Sequence, residues 1–210
     1  MVEWSKEVID GLGIAINEAT LLGVEVDEAA RKVEVTLKVL TLPDVGPAPD
    51  DSRILLALSP VGRIVASLRH GLWNDETAEV ERFTLDSLSD VVRSFQGCDI
   101  YGWEFFDCSD ERFDRCSGRL SLDWQSGTDG RAHTLDLFQE GNDKGQRRHL
   151  DLRISFDDMT LYTPIRAVVP IEEFIAGGRR WWDALYSGDA RTQRSGIMPL
   201  SNVTQTDNKP

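Results

Sequence analysis

The sequence has no long apolar run. Its longest clean stretch, Ile54–Leu58, falls far short of the roughly 20 residues a membrane-spanning helix needs, so no membrane association is expected. Cysteine is scarce. Cys98, Cys108 and Cys116 are the only three, and no Cys-x-x-Cys pair occurs, which argues against a structural zinc site. Three free thiols are the plainer expectation, with a Cys108–Cys116 bridge as the oxidised alternative. Positive charge is in deficit: 23 Lys and Arg stand against 36 Asp and Glu, a net −13. A surface of that sign repels phosphates, so no nucleic-acid partner is expected. The opening Met1–Glu7 lacks a basic start followed by an apolar stretch, so it does not read as a secretory signal. With the odd cysteine count, this points to a cytoplasmic location. Phosphate-binding loops, a Gly-x-Ser-x-Gly elbow and His-Glu-x-x-His are all missing. Gly11-Leu-Gly13 follows a helix pattern rather than a strand and lacks the third glycine of a dinucleotide fingerprint.

What is present is a globular composition, with 40% hydrophobic and 28% charged residues in 210. A chain of that length buries enough surface to hold a core without metal or disulfide. Trp4 and Ser5 open a helix with Val8, Ile9 and Leu12 on one face, capped by Ser5 and ending at Gly11 or Gly13. Strands then dominate. Lys32–Val39 alternates without error, burying Val33, Val35, Leu37 and Val39, and Ala19–Val26 precedes it. Pro43–Ser52 is a loop. Arg53–Ser59 and Gly62–Arg69 read as a hairpin turning at Pro60, and Glu79–Phe83 leads into a helix over Leu85–Phe95. Strands are expected again at Asp99–Phe106, Gly118–Trp124, Arg131–Phe138, Arg148–Phe156 and Met159–Val169, with a tight turn at Asp157-Asp158. Pro170 opens a last helix with Ile171, Phe174, Gly178, Trp181 and Leu185 inward. Gly177-Gly178 either brings that helix close to the sheet or breaks it.

The same order of elements occurs twice. Leu22-Gly-Val-Glu-Val26 resembles Tyr101-Gly-Trp-Glu-Phe105, and each half ends in a strand running into a helix. The expectation is therefore an α+β fold with a predominantly antiparallel β-sheet and an N-terminal and a C-terminal helix. Two pseudo-repeated β5α halves would span 1–97 and 98–189, with a flexible tail at 190–210. The alternative is that two strand-to-helix junctions simply share capping chemistry.

Candidate sites follow from parity and charge. His70 and His133 share the parity of apolar neighbours, so with Trp103 they are candidates for lining a cavity, the histidines as acid/base groups. The plainer reading makes each an end-of-strand imidazole bonded to a carbonyl. His149 has the opposite parity and is expected to face solvent. The stretch from Cys98 to Cys116 carries six carboxylates against two arginines and lacks the calcium-loop pattern. Asp107, Asp110, Glu111 and Asp114 within it, together with Trp182 of Arg179-Arg-Trp-Trp-Asp183, are the candidate partner-binding residues. Trp181 is expected to anchor its helix. No catalytic constellation, metal site or cofactor emerges. The leading expectation is a non-catalytic cytoplasmic protein that binds another, basic protein through an acidic surface, as an inhibitor, immunity-type neutraliser or adaptor. The rivals are a small-ligand binder with an apolar cavity and an enzyme using His70 or His133.

Overall fold

Residue by residue, the first helix begins where Ser5 supplies a cap. Its Oγ accepts the Val8 N–H, and α1 runs over Lys6–Ile16. It passes through Gly11 and Gly13 instead of ending there, because Ala15 and Ile16 beyond them are fully buried. The structure, a computed structural model, describes residues 3–75, 77–95, 98–100, 102, 104–108, 118–143 and 145–195. The remaining elements are β1 (Thr20–Asp27), β2 (Lys32–Lys38), β3 (Arg53–His70), β4 (Glu79–Glu81), α2 (Leu88–Arg93, preceded by a 3-10 turn at Leu85–Ser87), β5 (Leu122–Gln125), β6 (His133–Asp143), β7 (Gln146–Tyr162), β8 (Val168–Val169) and α3 (Ile171–Ser187). A second 3-10 turn covers Ala190–Ser195.

This is an α+β fold with a large antiparallel sheet, as the periodicity implied, with eight strands and three α-helices among the described residues. The strand order is β1-β2-β3-β7-β6, with β4 and β5 on β3 and β8 on β7. Period-two burial holds where it was clearest. Val33, Val35 and Leu37 are fully buried and oppose Leu58, Leu56 and Ile54. In the other half of the sheet Ile64, Ala66 and Leu68 oppose Ile154, Leu152 and Leu150. Leu135 and Leu137 continue that layer. Phe174 and Ile175 of α3 and Leu88 and Val92 of α2 cover it with α1.

Two expected turns are bends within long strands. The apolar parity breaks between Leu58 and Ile64, and again between Phe156 and Met159, and a break of that kind suits a turn. Here β3 and β7 continue straight through as neighbours, and the register shifts between Val61 and Arg63. A cis peptide joins Ser59 to Pro60 at the same place. Gly62 N–H donates to the Gly130 carbonyl at 2.9 Å. A Cβ on Gly62 would stand 2.6 Å from that oxygen, so only glycine allows the 126–131 loop to close over the bend. Among its described residues, the expected Asp99–Phe106 strand shows isolated bridges, Thr20–Asp99, Ile100–Gln139 and Phe106–Leu135. These reach β1 and β6, the two ends of the strand order, so the sheet curls far enough for one segment to touch both edges.

Apart from β5, which pairs with β3 and has no counterpart on β7 among the described residues, the pairing is mirrored about the β3–β7 ladder. β2 flanks the first part of β3 and β4 its end, while β6 flanks the first part of β7 and β8 its end. β4 leads into α2 and β8 into α3.

Candidate functional site

Helices α1 and α3 lie side by side and run in the same direction, with Gly11 against Ile175 and Ala15 against Gly178. A Cβ on Gly178 would come within 2.6 Å of the Ala15 Cα and one on Gly177 would collide with Thr41 Oγ1, so Gly178 serves the approach to α1 and Gly177 the approach to the loop after β2, neither an approach to the sheet. Trp182 Nε1–H donates to the Ile14 carbonyl at 3.2 Å and ties the two helices near their carboxyl ends. Because the helices are parallel, both carboxyl ends emerge together. Neither has a basic residue in its last turn, so the partial negative charges of the two dipoles are left unopposed by their own helices. Ile14 is 39% exposed and Tyr186 63%. Trp182 is half-buried, with its ring 6.2 Å from that of Tyr186 and inclined by 31°. Beneath, Trp181 is 3% exposed and meets Trp182 edge-on at 5.0 Å. Trp181 anchors α3, as expected, but against Leu42 of the loop between β2 and β3. Asp10 and Asp183 are exposed beside these side chains, and Arg179 precedes them by a turn of α3. Glu18 follows α1, and its carboxyl is pushed upward by partial burial and then by Asp99. Ile14, Trp182 and Tyr186 thus form an aromatic platform on two rigid helices. Of these three, only Trp182 was legible beforehand, through its setting among arginines.

The two candidate histidines each have a carboxylate partner where a carbonyl was expected. His70 ends β3, with Nε2 2.8 Å from Glu81 Oε2. His133 opens β6, with Nδ1 2.9 Å from Asp107 Oδ2, and Asp107 Oδ1 accepts the Thr134 N–H at 2.8 Å. The His133 ring is buried and stacks on Trp4 at 4.0 Å, with Phe156 and Phe106 completing the cluster. Asp107 therefore has both oxygens engaged. Asp110, Glu111, Asp114 and Trp103 lie outside the described residues, as does Cys116. Cys98 and Cys108 are free thiols. Burial, with Asp136 nearby, pushes the Cys108 thiol up to about 12, so it is an inert thiol at neutral pH.

Two surface grooves adjoin these elements. One, of about 320 Å³, runs between α1 and residues 104–108 and has Lys6, Asp10, Glu104 and Asp107 in its walls. The other, of about 280 Å³, lies between β1 and α2 and holds Glu25, Glu28, Asp86 and Asp90 around Arg93. Arg93 bonds Glu25 at 3.4 Å and Asp90 at 3.2 Å.

A layer of buried charge went unseen in the sequence. On the sheet face opposite the apolar core, Arg153 grips Asp136 with two hydrogen bonds of 2.6 Å, and Arg69 pairs with Asp151. Ser67 donates to the Arg119 carbonyl at 3.0 Å, and Arg153 reaches the Cys108 carbonyl at 3.4 Å. His149 sits in the same row and is fully buried. That corrects its expected solvent exposure: the chain on either side of 109–117 closes over this face. The imidazole is held below its ordinary value by burial and then by Arg69. Among the described residues, no group of three or more His, Cys, Asp and Glu side chains is placed to hold a metal ion. No helix there is long and apolar enough to cross a membrane.

No protein-family model, curated protein or solved structure matches this chain.

Proposed function

We propose that this chain is a non-catalytic binding protein that engages a basic protein partner through an acidic surface, with the Ile14–Trp182–Tyr186 platform at its centre. The observation that carries the reading is a large aromatic pair held at the surface of two packed helices. Tryptophan and tyrosine at such positions supply rigid contact area at small entropic cost and dominate binding energies. The net −13 charge supports the choice of a basic partner, because an acidic surface speeds encounter with a cationic one. An inhibitor, a neutraliser and an adaptor would all use such a surface.

The test places a photo-crosslinking side chain at position 186 or at position 165 in the producing cell. Ile165 is 87% exposed and makes a control. The reading expects one discrete adduct from position 186, absent from position 165 and lost when Trp182→Ala is added. Adducts that are the same at both positions, or indifferent to Trp182→Ala, contradict it.

A second reading, acid/base chemistry at His133, has one specific observation behind it. Asp107 orients the imidazole at 2.9 Å and also lines the groove beside α1. That reading requires a metabolite that the purified chain turns over and that His133→Gln leaves unconsumed. A turnover unchanged by His133→Gln removes it.

A further inference from the structure

We propose that the occupant of the α1/α3 platform is a protein segment presenting a lysine or arginine side chain, seated over the Trp182 and Tyr186 rings at the paired carboxyl ends of the two helices. This deepens the binding reading above and rests on it.

Three independent features converge on a cation at that spot. The first is the pair of rings, whose electron-rich faces attract ammonium and guanidinium groups within about 6 Å. The second is the parallel arrangement of α1 and α3, which sums two negative helix ends where an antiparallel pair would cancel them. Both helices lack a basic residue in the last turn, so the chain leaves that field unneutralised from within the helices. The third is the rim. Asp183 is exposed there, and Glu18 follows α1, its carboxyl pushed upward by partial burial and then by Asp99, while Asp10 is already paired with Lys6 at 2.9 Å. Other acidic features are less well suited. In the groove by α2, Arg93 already takes two of the carboxylates. Arg69 and Arg153, buried in the sheet, are each matched by a carboxylate.

Charge complementarity also decides against a second copy of this chain as occupant. Two copies would bring two negative helix-end pairs and two sets of rim acids together.

The test titrates the full chain with a hexa-arginine peptide at low salt, with a hexa-glutamate peptide as control, and follows backbone and indole N–H resonances. Saturable shifts are expected at the Trp182 indole and over 183–189 and 14–18, weakening steeply as salt is raised, with none from hexa-glutamate. Tyr186→Ala, at an exposed position that leaves the fold intact, should weaken binding about threefold to tenfold. Trp182→Ala should do at least as much, read only if its spectrum stays folded. Shifts confined to the groove of Glu25, Glu28, Asp86 and Asp90, or Tyr186→Ala binding as tightly as wild type, overturn the proposal. The wider reading survives that result if the crosslink at position 186 still captures its partner. It fails separately if the crosslink is absent.

Discussion

At the scale of single residues, the sheet holds ion pairs where an all-apolar layer could stand. Arg69 and Asp151 are both nearly inaccessible, with side chains 10% and 6% exposed. Such a pair contributes little net stability, because desolvation offsets its attraction, yet removing one partner strands the other charge. Asp151→Ala should therefore cost roughly 3–5 kcal/mol in urea unfolding, whereas Arg69→Met combined with Asp151→Leu should be close to neutral. Equal losses in the two variants would contradict this. His149 makes the layer sensitive to pH. Burial, then Arg69, lower its imidazole, while Asp151 and Glu140 pull the other way and are outweighed. The unfolded chain then takes up a proton at a pH where the folded chain does not. This contribution is at its full value above about pH 6.5 and is lost as pH falls toward the folded value. His149→Phe, beside Phe138, should flatten the stability curve over that window. An unchanged slope would count against it. None of this layer was legible beforehand. His149, Asp151 and Arg153 alternate with Leu150, Leu152 and Ile154, which in one dimension is the mark of a solvent face. Only the register, which sets Arg69 opposite His149 and Asp136 opposite Arg153, reveals matched charges.

At the scale of elements, legibility followed the regularity of each strand. β2 could be read because one face is core throughout. β3 and β7 were split in two because their apolar parity breaks, and a parity break looks the same for a turn and for a bulge. The helices were legible from the Ser5 cap of α1, the apolar stripe of α2 and the Pro170 start of α3, but the role of Gly178 was not. Propensity says glycine weakens a helix, and α3 nevertheless runs through it because Ala15 of α1 fills the space a side chain would take. Gly178→Ala sets the two effects against each other. Helix propensity favours alanine by about 1 kcal/mol, while the contact with the Ala15 backbone forces the helices apart. The collision should win, with a net loss of roughly 1–3 kcal/mol and a lowered melting temperature. A raised melting temperature would show that the helices separate without penalty. The platform depends on this packing, so the same substitution should also weaken partner binding.

At the scale of the whole molecule, the mirrored pairing about β3 and β7 gives the sequence repeat a spatial counterpart. Thr20 and Asp99, equivalent under the offset between the Leu22 and Tyr101 segments, meet across a bridge, and Thr20 Oγ1 donates to Asp99 at 2.7 Å. We propose a duplicated unit as the origin of this arrangement. An experimental structure in which 32–93 and 133–187 fail to superimpose about an axis through that ladder would contradict it. The acidic excess is likewise a property of the whole surface, and it gave the leading expectation of a basic partner before any helix pairing was known. The most direct test of that account is hydrogen exchange of the full chain, alone and bound to the partner that position 186 captures. Slowed exchange is predicted in the last turns of α1 and α3, over 13–18 and 182–189, and less slowing in high salt. Protection elsewhere on the sheet, with both helix ends exchanging as in the free chain, would contradict it.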